Sequence, residues 1–430
     1  MTGAVTLPFA EEHDRADPLR GFRSEFHVPV DASGQPIIYF AGHSLGLQPK
    51  SAARLIHEEL DDWGRRGVLG HHTGHRPWIR YHEHLTAHTA QLAGAGAHEV
   101  VNMSSLTVNL HLLMVSFYRP TAARFRILIE RGAFPSDRYA VESQIRFHGF
   151  DPASALIELG PRAGEDLLQA EDIEAAIGRA GSSLALVLWP GVQYLTGQAF
   201  DLGPIAAAAH RVGAIVGFDM AHAIGNLELS LHAGDADFAV WCGYKYLNAG
   251  PGSIAGAFVH ERHAEAFERP RFAGWWGHDK ETRFLMGPEF RPIPGAEGWQ
   301  VSNPPVLSAA PLIASLDIFR RAGMDRLRAK SIELTGFLAR LVEARLAGRV
   351  AIVTPHAPAE RGSQLSLRIS GSVAFAQSIF ESLESAGAIG DWREPDLIRV
   401  APTPLYNTFT EVFRFVELLE EALTRAGQRG

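Results

Sequence analysis

From about residue 100 to 260, short runs rich in β-branched and aromatic residues alternate with alanine-rich stretches at helical spacing. Such βα units in series stack as a mainly parallel sheet with helices packed over it. FRILIE (125–130), LALVLWP (184–190), AIVGFD (214–219) and FAVWCG (238–243) read as buried strands, and 173–180 and 205–212 as covering helices. After a passage holding Pro304, Pro305 and Pro311, one long helical pattern runs from 309 to 347. The runs VAIVTP, QLSLRIS and LIRVAPTP follow as strands, with helical stretches at 375–386 and 411–426. The expected class is α/β, a large domain with a mainly parallel sheet plus a small C-terminal α+β domain. A chain of 430 residues exceeds one ordinary core. The expected division is an N-terminal segment packing on the core (1–40), a large ligand-binding domain (41–308) and the small domain (309–430).

Charge and cysteine usage narrow the function. Forty Lys and Arg against 48 Asp and Glu leave a net charge of -8 with no basic run, which argues against nucleic acid as a partner. Cys242 is the single cysteine, so no intramolecular disulfide can form. The opening MTGAVTLPFAEEHDRADPLRGF has acids early and no basic stretch leading into an apolar one, so no secretory signal is read there. No apolar run reaches membrane-spanning length. The expectation is a soluble cytoplasmic protein acting on a small molecule.

Two strands carry the chemistry. In AIVGFDMAHAIG an apolar strand ends on Asp219, and in ADFAVWCGYKYLNAGPG a second ends just before Lys245. Ligands of open parallel sheets bind at the carboxyl ends of the strands, where both groups would converge. A lysine and an acid so spaced suit pyridoxal 5'-phosphate: Lys245 as the Schiff-base residue, and Asp219, which must stay ionised, against the protonated pyridine nitrogen. Singly, an Asp closing a strand and a Lys in a Gly-rich turn are ordinary surface features; together, in these contexts, they indicate a cofactor site. NMSSLTVNLHLLMVSFY then reads as a hydroxyl-rich helix N-terminus, whose free N–H groups and dipole favour a phosphate. In RGAFPSDRYAVESQ, Phe134 could lie against the pyridine ring and Asp137 could accept a hydrogen bond nearby. His84 and His88, four apart, could share a helical face, but no acidic zinc-motif context surrounds them, so packing roles and no metal are expected.

FPSDRYAVESQ, SSLTVNLHLLMVSFY, GVQYLTGQ, FDMAHAIGN, WCGYKYLNAGPG, GWWGH, SNPP and WREPDLIRVAPTPLYN resemble kynureninases in order and spacing, from YFAGHSLGLQPK near residue 40 to beyond residue 400. The resemblance implies a pyridoxal phosphate enzyme of the aspartate aminotransferase fold (fold type I), a homodimer with its sites at the subunit interface. The implied reaction is hydrolytic Cβ–Cγ cleavage of L-kynurenine or 3-hydroxykynurenine to L-alanine and the anthranilate, in tryptophan breakdown or specialised biosynthesis. It implies Lys245 as Schiff-base residue and catalytic base, and Tyr244 as a phosphate ligand and proton relay. Leu106 and Thr107 become phosphate contacts, Phe134 a stacking ring, and Asp137, Asp219 and His222 neighbours of the cofactor. Trp275 and Asn303 are implied to reach a cofactor phosphate, that of the partner subunit. Arg399 is implied to bind the substrate carboxylate, for which a planar guanidinium is suited. His71 and Ser302 lie, by the same resemblance, near the aromatic end of the substrate, as does Asn303.

Two positions depart from the family pattern: His43 stands where many members have Asn in a GNSLG motif, and Pro190 where some have Ser. Pro190 offers neither N–H nor hydroxyl. The readings left open are a hydrolase for another ring-substituted kynurenine, an aminotransferase or desulfurase of the same fold, and a non-catalytic cofactor-binding regulator. A desulfurase needs a mobile thiol, which Cys242 within a buried strand does not supply.

Overall fold

The computed structural model describes residues 6–428. Its centre is a seven-stranded sheet of β1 (Val100–Met103), β2 (Arg126–Glu130), β3 (Leu156–Leu159), β4 (Leu184–Pro190), β5 (Ile215–Asp219), β6 (Phe238–Trp241) and β7 (Ala255–Val259). The spatial order is β1-β7-β6-β5-β4-β2-β3. Strands β2 to β6 are parallel, while β7 runs antiparallel to both its neighbours. The four strands read from sequence are β2, β4, β5 and β6, each within two residues of its expected ends. They read cleanly because strands covered on both faces are continuous apolar runs: every residue of β6, and all but the last of β4, is buried. The helices Ala170–Ala180 and Leu202–Arg211 cover the sheet with Ile173, Ala176, Ile177, Ile205, Ala206 and Ala209.

The single long helix expected over 309–347 is instead two, Val306–Ala322 and Met324–Leu346. Gly323 separates them at φ +79°, a left-handed conformation that ends a helix at little cost only in glycine. The first helix, which opens the expected C-terminal part, packs Ala309, Leu312, Leu316 and Phe319 into the larger core. The second contributes Leu334, Phe337, Leu338 and Leu341 to a separate smaller core. That core is completed by an antiparallel sheet in the order Val350–Ile352, Leu365–Ile369, Leu397–Val400, Asp391–Arg393, and by the helix Phe409–Gly427.

The N-terminal segment touches both cores. Ala10 belongs to the smaller and Leu19 and Phe26 to the larger, and Asp14 accepts from Phe409 N and Thr410 N at 2.7 and 2.9 Å. A carboxylate there satisfies first-turn amides and complements the helix dipole. Ile38–Tyr39 then pairs with Ala388–Ile389, and Ala41 bridges to Ala401, so the chain enters the larger unit along the strand that ends after Arg399. No helix among the described residues is long and apolar enough to cross a membrane.

Candidate active site

Three parallel strands end on one edge of the sheet, β2 at Glu130, β4 at Pro190 and β5 at Asp219, with Pro190 and Asp219 in register. The turn after β6 brings Tyr244 and Lys245 to the same edge. Its backbone is closed by Asn248 N donating to Lys245 O at 2.9 Å and Ala249 N to Gly243 O at 3.0 Å. A cavity of about 270 Å³ opens there, lined by Leu106, Thr107, Phe134, Asp137, Asp219, His222, Tyr244 and Lys245. Eight residues singled out in the sequence are thus brought together by one chain.

Lys245 Nζ lies 3.0 Å from His222 Nε2. Burial, together with the nearby Lys245 and Arg399, holds the His222 imidazole well below the usual histidine range, so the ring is neutral and its Nε2 can accept from the amine. The same Nζ stands 5.7 Å from the centre of the Phe134 ring. Phe134 meets Tyr194 edge-on, with ring centres 5.4 Å apart. Burial, and after it Cys242, pushes the Tyr244 phenol up, so the hydroxyl keeps its proton at neutral pH. Cys242 itself is a buried free thiol.

The cavity holds acids as well. Asp219 Oδ1 accepts from Ala221 N at 2.7 Å, which fixes the carboxylate at the strand end. Asp137, in the first turn of the helix Pro135–Phe147, is 7% exposed. Burial and the adjacent Asp219 hold its carboxyl well above the usual range, and its Oδ1 has no partner. Burial likewise pushes Glu130 up to about 8, against the opposing pull of the Gln193 amide 3.4 Å away.

The residues fit pyridoxal phosphate. The helix Leu106–Phe117 starts at Ser105 without a side-chain cap, so its first amides have no hydroxyl partner, and its first residues, Leu106 and Thr107, line the cavity. Thr107 Oγ1 and Ser136 Oγ lie 2.8 Å apart, where the starts of this helix and of Pro135–Phe147 meet. Two helix N-termini and two hydroxyls could seat a phosphate there. Asp219 can face a protonated ring nitrogen, and Lys245 offers the amine that an aldehyde requires. Buried atoms without partners, Asp137 Oδ1 and His222 Nδ1, are costly unless a ligand completes them.

The other expected residues lie outside this cavity in a single chain. Arg399 is 1% exposed and occupied: Nη2 donates to Asp391 Oδ2 at 2.5 Å and Nη1 to Tyr194 O at 2.6 Å. His71 and Asn303 line a different cavity with Trp78 and Trp276, Ser302 is exposed beside it, and Trp275 is 47% exposed by Met286 and Phe290. In one chain His71, Ser302 and Asn303, expected at the substrate's aromatic end, thus stand apart from the Lys245 cavity. Trp275 and Asn303, expected to serve a partner's site, are likewise absent from the cavity of their own chain. Pro190 lines the Lys245 cavity. Ser136, Glu130, Tyr194 and Asp391 were not singled out in the sequence. Ser136 was legible within FPSD, and Glu130 closes the apolar run FRILIE as Asp219 closes AIVGFD. Nothing local marks Tyr194 or Asp391, which matter through Arg399.

A family model for the kynureninase C-terminal domain matches residues 327–419. A kynureninase of Myxococcus xanthus is 58% identical over 412 residues, 96% of each chain. One of Stenotrophomonas maltophilia is 57% identical over 420 residues, 98% of this chain and 99% of the relative. Among solved structures, a cysteine desulfurase of Escherichia coli superposes with a TM-score of 0.75 over 95% of this chain and 98% of its own, at 17% identity. A mutant of the cystine C–S lyase C-DES with glycine covalently linked to its pyridoxal phosphate gives a TM-score of 0.74 over 90% of this chain and 96% of its own, also at 17% identity. At such identities these structures establish the fold, fold type I, and the sequence relatives carry the rest.

Proposed function

The chain belongs to the kynureninase family, and from that premise we propose that the Lys245 cavity hydrolyses the Cβ–Cγ bond of L-kynurenine, giving L-alanine and anthranilate. The observation that carries the reading is the convergence of Lys245, His222 and Asp219 on one cavity with an uncapped helix N-terminus. Pyridoxal phosphate, the cofactor of this family, supplies when bound an electron sink for carbanion charge at the substrate Cα.

The chain's own groups orient and move protons. Thr107, Ser136 and the amides of Leu106 and Thr107 would hold the phosphate, and Asp219 would face the ring nitrogen. Lys245 would be the covalent anchor, and its amine the base that takes the Cα proton. His222 Nε2 accepts from that amine at 3.0 Å and orients it. Tyr244, which keeps its phenolic proton, is the proton donor and relay facing the cavity. Arg399, set by Asp391 and Tyr194 O, holds the substrate carboxylate. In the net reaction water's oxygen ends on the aryl carbonyl carbon, and a proton ends on the β carbon of alanine.

We further propose a homodimer in the cytoplasm in which Trp275 and Asn303 of one subunit complete the other's phosphate seat, while His71, Ser302 and Asn303 meet the substrate's aryl end. Supporting this, the region around them exposes Trp63, Val68, Leu69, Leu285 and Met286, an apolar surface that a second copy would bury.

Holoenzyme incubated with L-kynurenine, and in parallel with 3-hydroxykynurenine and other ring-substituted forms, is expected to release alanine and the fluorescent anthranilate stoichiometrically. Absence of product from every kynurenine rejects the activity; transfer of the amino group to a keto acid would make it an aminotransferase. Co-expression of Lys245→Ala with Trp275→Ala tests the shared site: mixed dimers hold one intact site, so the pool should regain about a quarter of the full rate. No recovery rejects the sharing.

A further inference from the structure

A buried imidazole with nothing to bond stands beside the residues that would receive the substrate's amino-acid end. His43 is fully buried, and neither ring nitrogen has a hydrogen-bond partner. Its Nε2 lies 4.0 Å from Asp391 Oδ2, the carboxylate that grips Arg399. On its other side the ring centre is 6.4 Å from that of His222, which contacts Lys245. Burial, and after it the positive charges of Arg399 and Lys245, hold His43 well below the usual histidine range; the backbone of Phe40 pulls the other way through a contact that falls short of a hydrogen bond.

The loop that carries His43 is clamped at both ends. Ala401 N donates to Phe40 O at 2.8 Å, tying it to the strand of Arg399, and Gly46 N donates to Tyr244 O at 2.8 Å, tying it to the turn of Lys245. A Cβ on Gly42 would come 2.3 Å from Tyr406 Oη, and one on Gly46 would come 2.3 Å from Lys245 O. Neither end can slide, so the imidazole is held in place although no hydrogen bond holds it. An unpartnered buried ring in a clamped loop costs stability without return, unless a ligand atom completes it.

The nature of that atom follows from Arg399. Its two terminal nitrogens each donate one N–H, to Asp391 and to Tyr194 O, and Nε has no partner. A carboxylate has two oxygens and about four lone pairs, so beside the guanidinium N–H groups left over it can accept from one further donor. We propose that His43 is a second ligand of the substrate α-carboxylate, its ring N–H donating alongside the Arg399 guanidinium. The assignment rests on the reading of Arg399 as the carboxylate site and extends it to a residue on a different segment of the chain.

The test uses the pyridoxal phosphate holoenzyme, L-kynurenine, and the decarboxylated amine of the same substrate as a competitive ligand. His43→Leu should raise KM for L-kynurenine about tenfold or more, with kcat, the bound-cofactor absorbance and the Ki of the decarboxylated amine unchanged. His43→Asn, which keeps an N–H donor, should stay within about threefold of the parent. An unchanged KM in His43→Leu, or equal weakening of acid and amine, overturns the proposal. Should His43→Leu fail to bind the cofactor, His43→Ala supplies the same donor-free arm under the same criteria. Arg399→Lys separates the two layers: if it leaves KM unaltered the carboxylate reading itself falls, whereas a raised KM there and none in the donor-free His43 variant rejects only His43.

Discussion

At the amino ends of the central strands Asp237 has every lone pair employed, whereas at their carboxyl ends Asp137, His222 and His43 are buried with atoms unused. Asp237 Oδ2 accepts from His210 Nε2 at 2.9 Å and from Val216 N at 2.8 Å; Oδ1 accepts from His263 Nε2 at 2.8 Å and Arg262 Nε at 3.1 Å. Although burial opposes it, these donors hold the Asp237 carboxyl far below the usual range. Asp137 is driven the opposite way by burial and by Asp219. One sheet therefore carries a completed polar cluster, which stabilises the chain, and an incomplete one, which a ligand must finish.

The contrast breaks most visibly at Lys245. Lys245→Ala should lower turnover of L-kynurenine to below about a thousandth, a barrier rise of at least about 4 kcal/mol, and should abolish the cofactor's absorbance at the linked-imine wavelength while leaving the far-ultraviolet spectrum unchanged. A retained band would mean that a different lysine is the anchor. At the other end of the sheet Asp237→Asn should leave kcat intact in the folded fraction and cost about 3–5 kcal/mol in urea unfolding, since it leaves histidines and an arginine around a group that no longer balances them. Activity lost without stability would erase the distinction between the ends. The pH dependence has a definite sign: Asp237 is depressed in the folded state, so its contribution is present above the unfolded carboxyl value of about 3.9 and disappears as pH falls below it.

Much of the active end was legible in the sequence because its chemistry sits where apolar runs stop. Asp219 and Lys245 announce themselves as polar residues at the close of buried strands, and Leu106 and Thr107 at the start of a helix. Glu130 gave the same signal, but the strand FRILIE was read for its core and not for its last residue. The break at Gly323 was missed because apolar periodicity continues on both sides of it, although Arg320, Arg321 and the glycine form a helix-end signature. His71, Trp275, Ser302 and Asn303 are named by the family resemblance alone, and one chain leaves them outside the Lys245 cavity; in the homodimer proposed above a second subunit would complete their setting, which no pattern along one chain encodes. The unpartnered setting of His43 depends on three segments distant in sequence, so it becomes visible only once the chain is folded.

A ligand that completes the open cluster should stabilise the whole chain. Removing pyridoxal phosphate and restoring it at about a hundredfold above its Kd should add about 2.7 kcal/mol to unfolding, read as a rise in Tm, and Lys245→Ala should lose most of this rise. If the cofactor-free protein is as stable as the loaded one, the unused atoms of Asp137 and His222 are not what the cofactor satisfies.

The smallest expected effect distinguishes burial from neighbouring charge at the carboxyl end. Glu130 titrates near 8 in the folded chain and near 4.3 unfolded. A carboxyl raised by folding costs nothing while both states are protonated, and it destabilises the fold progressively as pH climbs from about 4 to 8, because the unfolded chain sheds the proton first. Glu130→Gln, which keeps the shape and a donor but cannot ionise, should therefore match the parent in stability near pH 4 and exceed it near pH 8, by about 1 kcal/mol or more once water reaching the cavity is allowed for. The gain should shrink in Asp219→Asn, since Asp219 adds to the raised value only after burial has set most of it. A gain that vanishes entirely in that background would assign the effect to charge repulsion between the two strand ends; a gain that is untouched would assign it to desolvation alone.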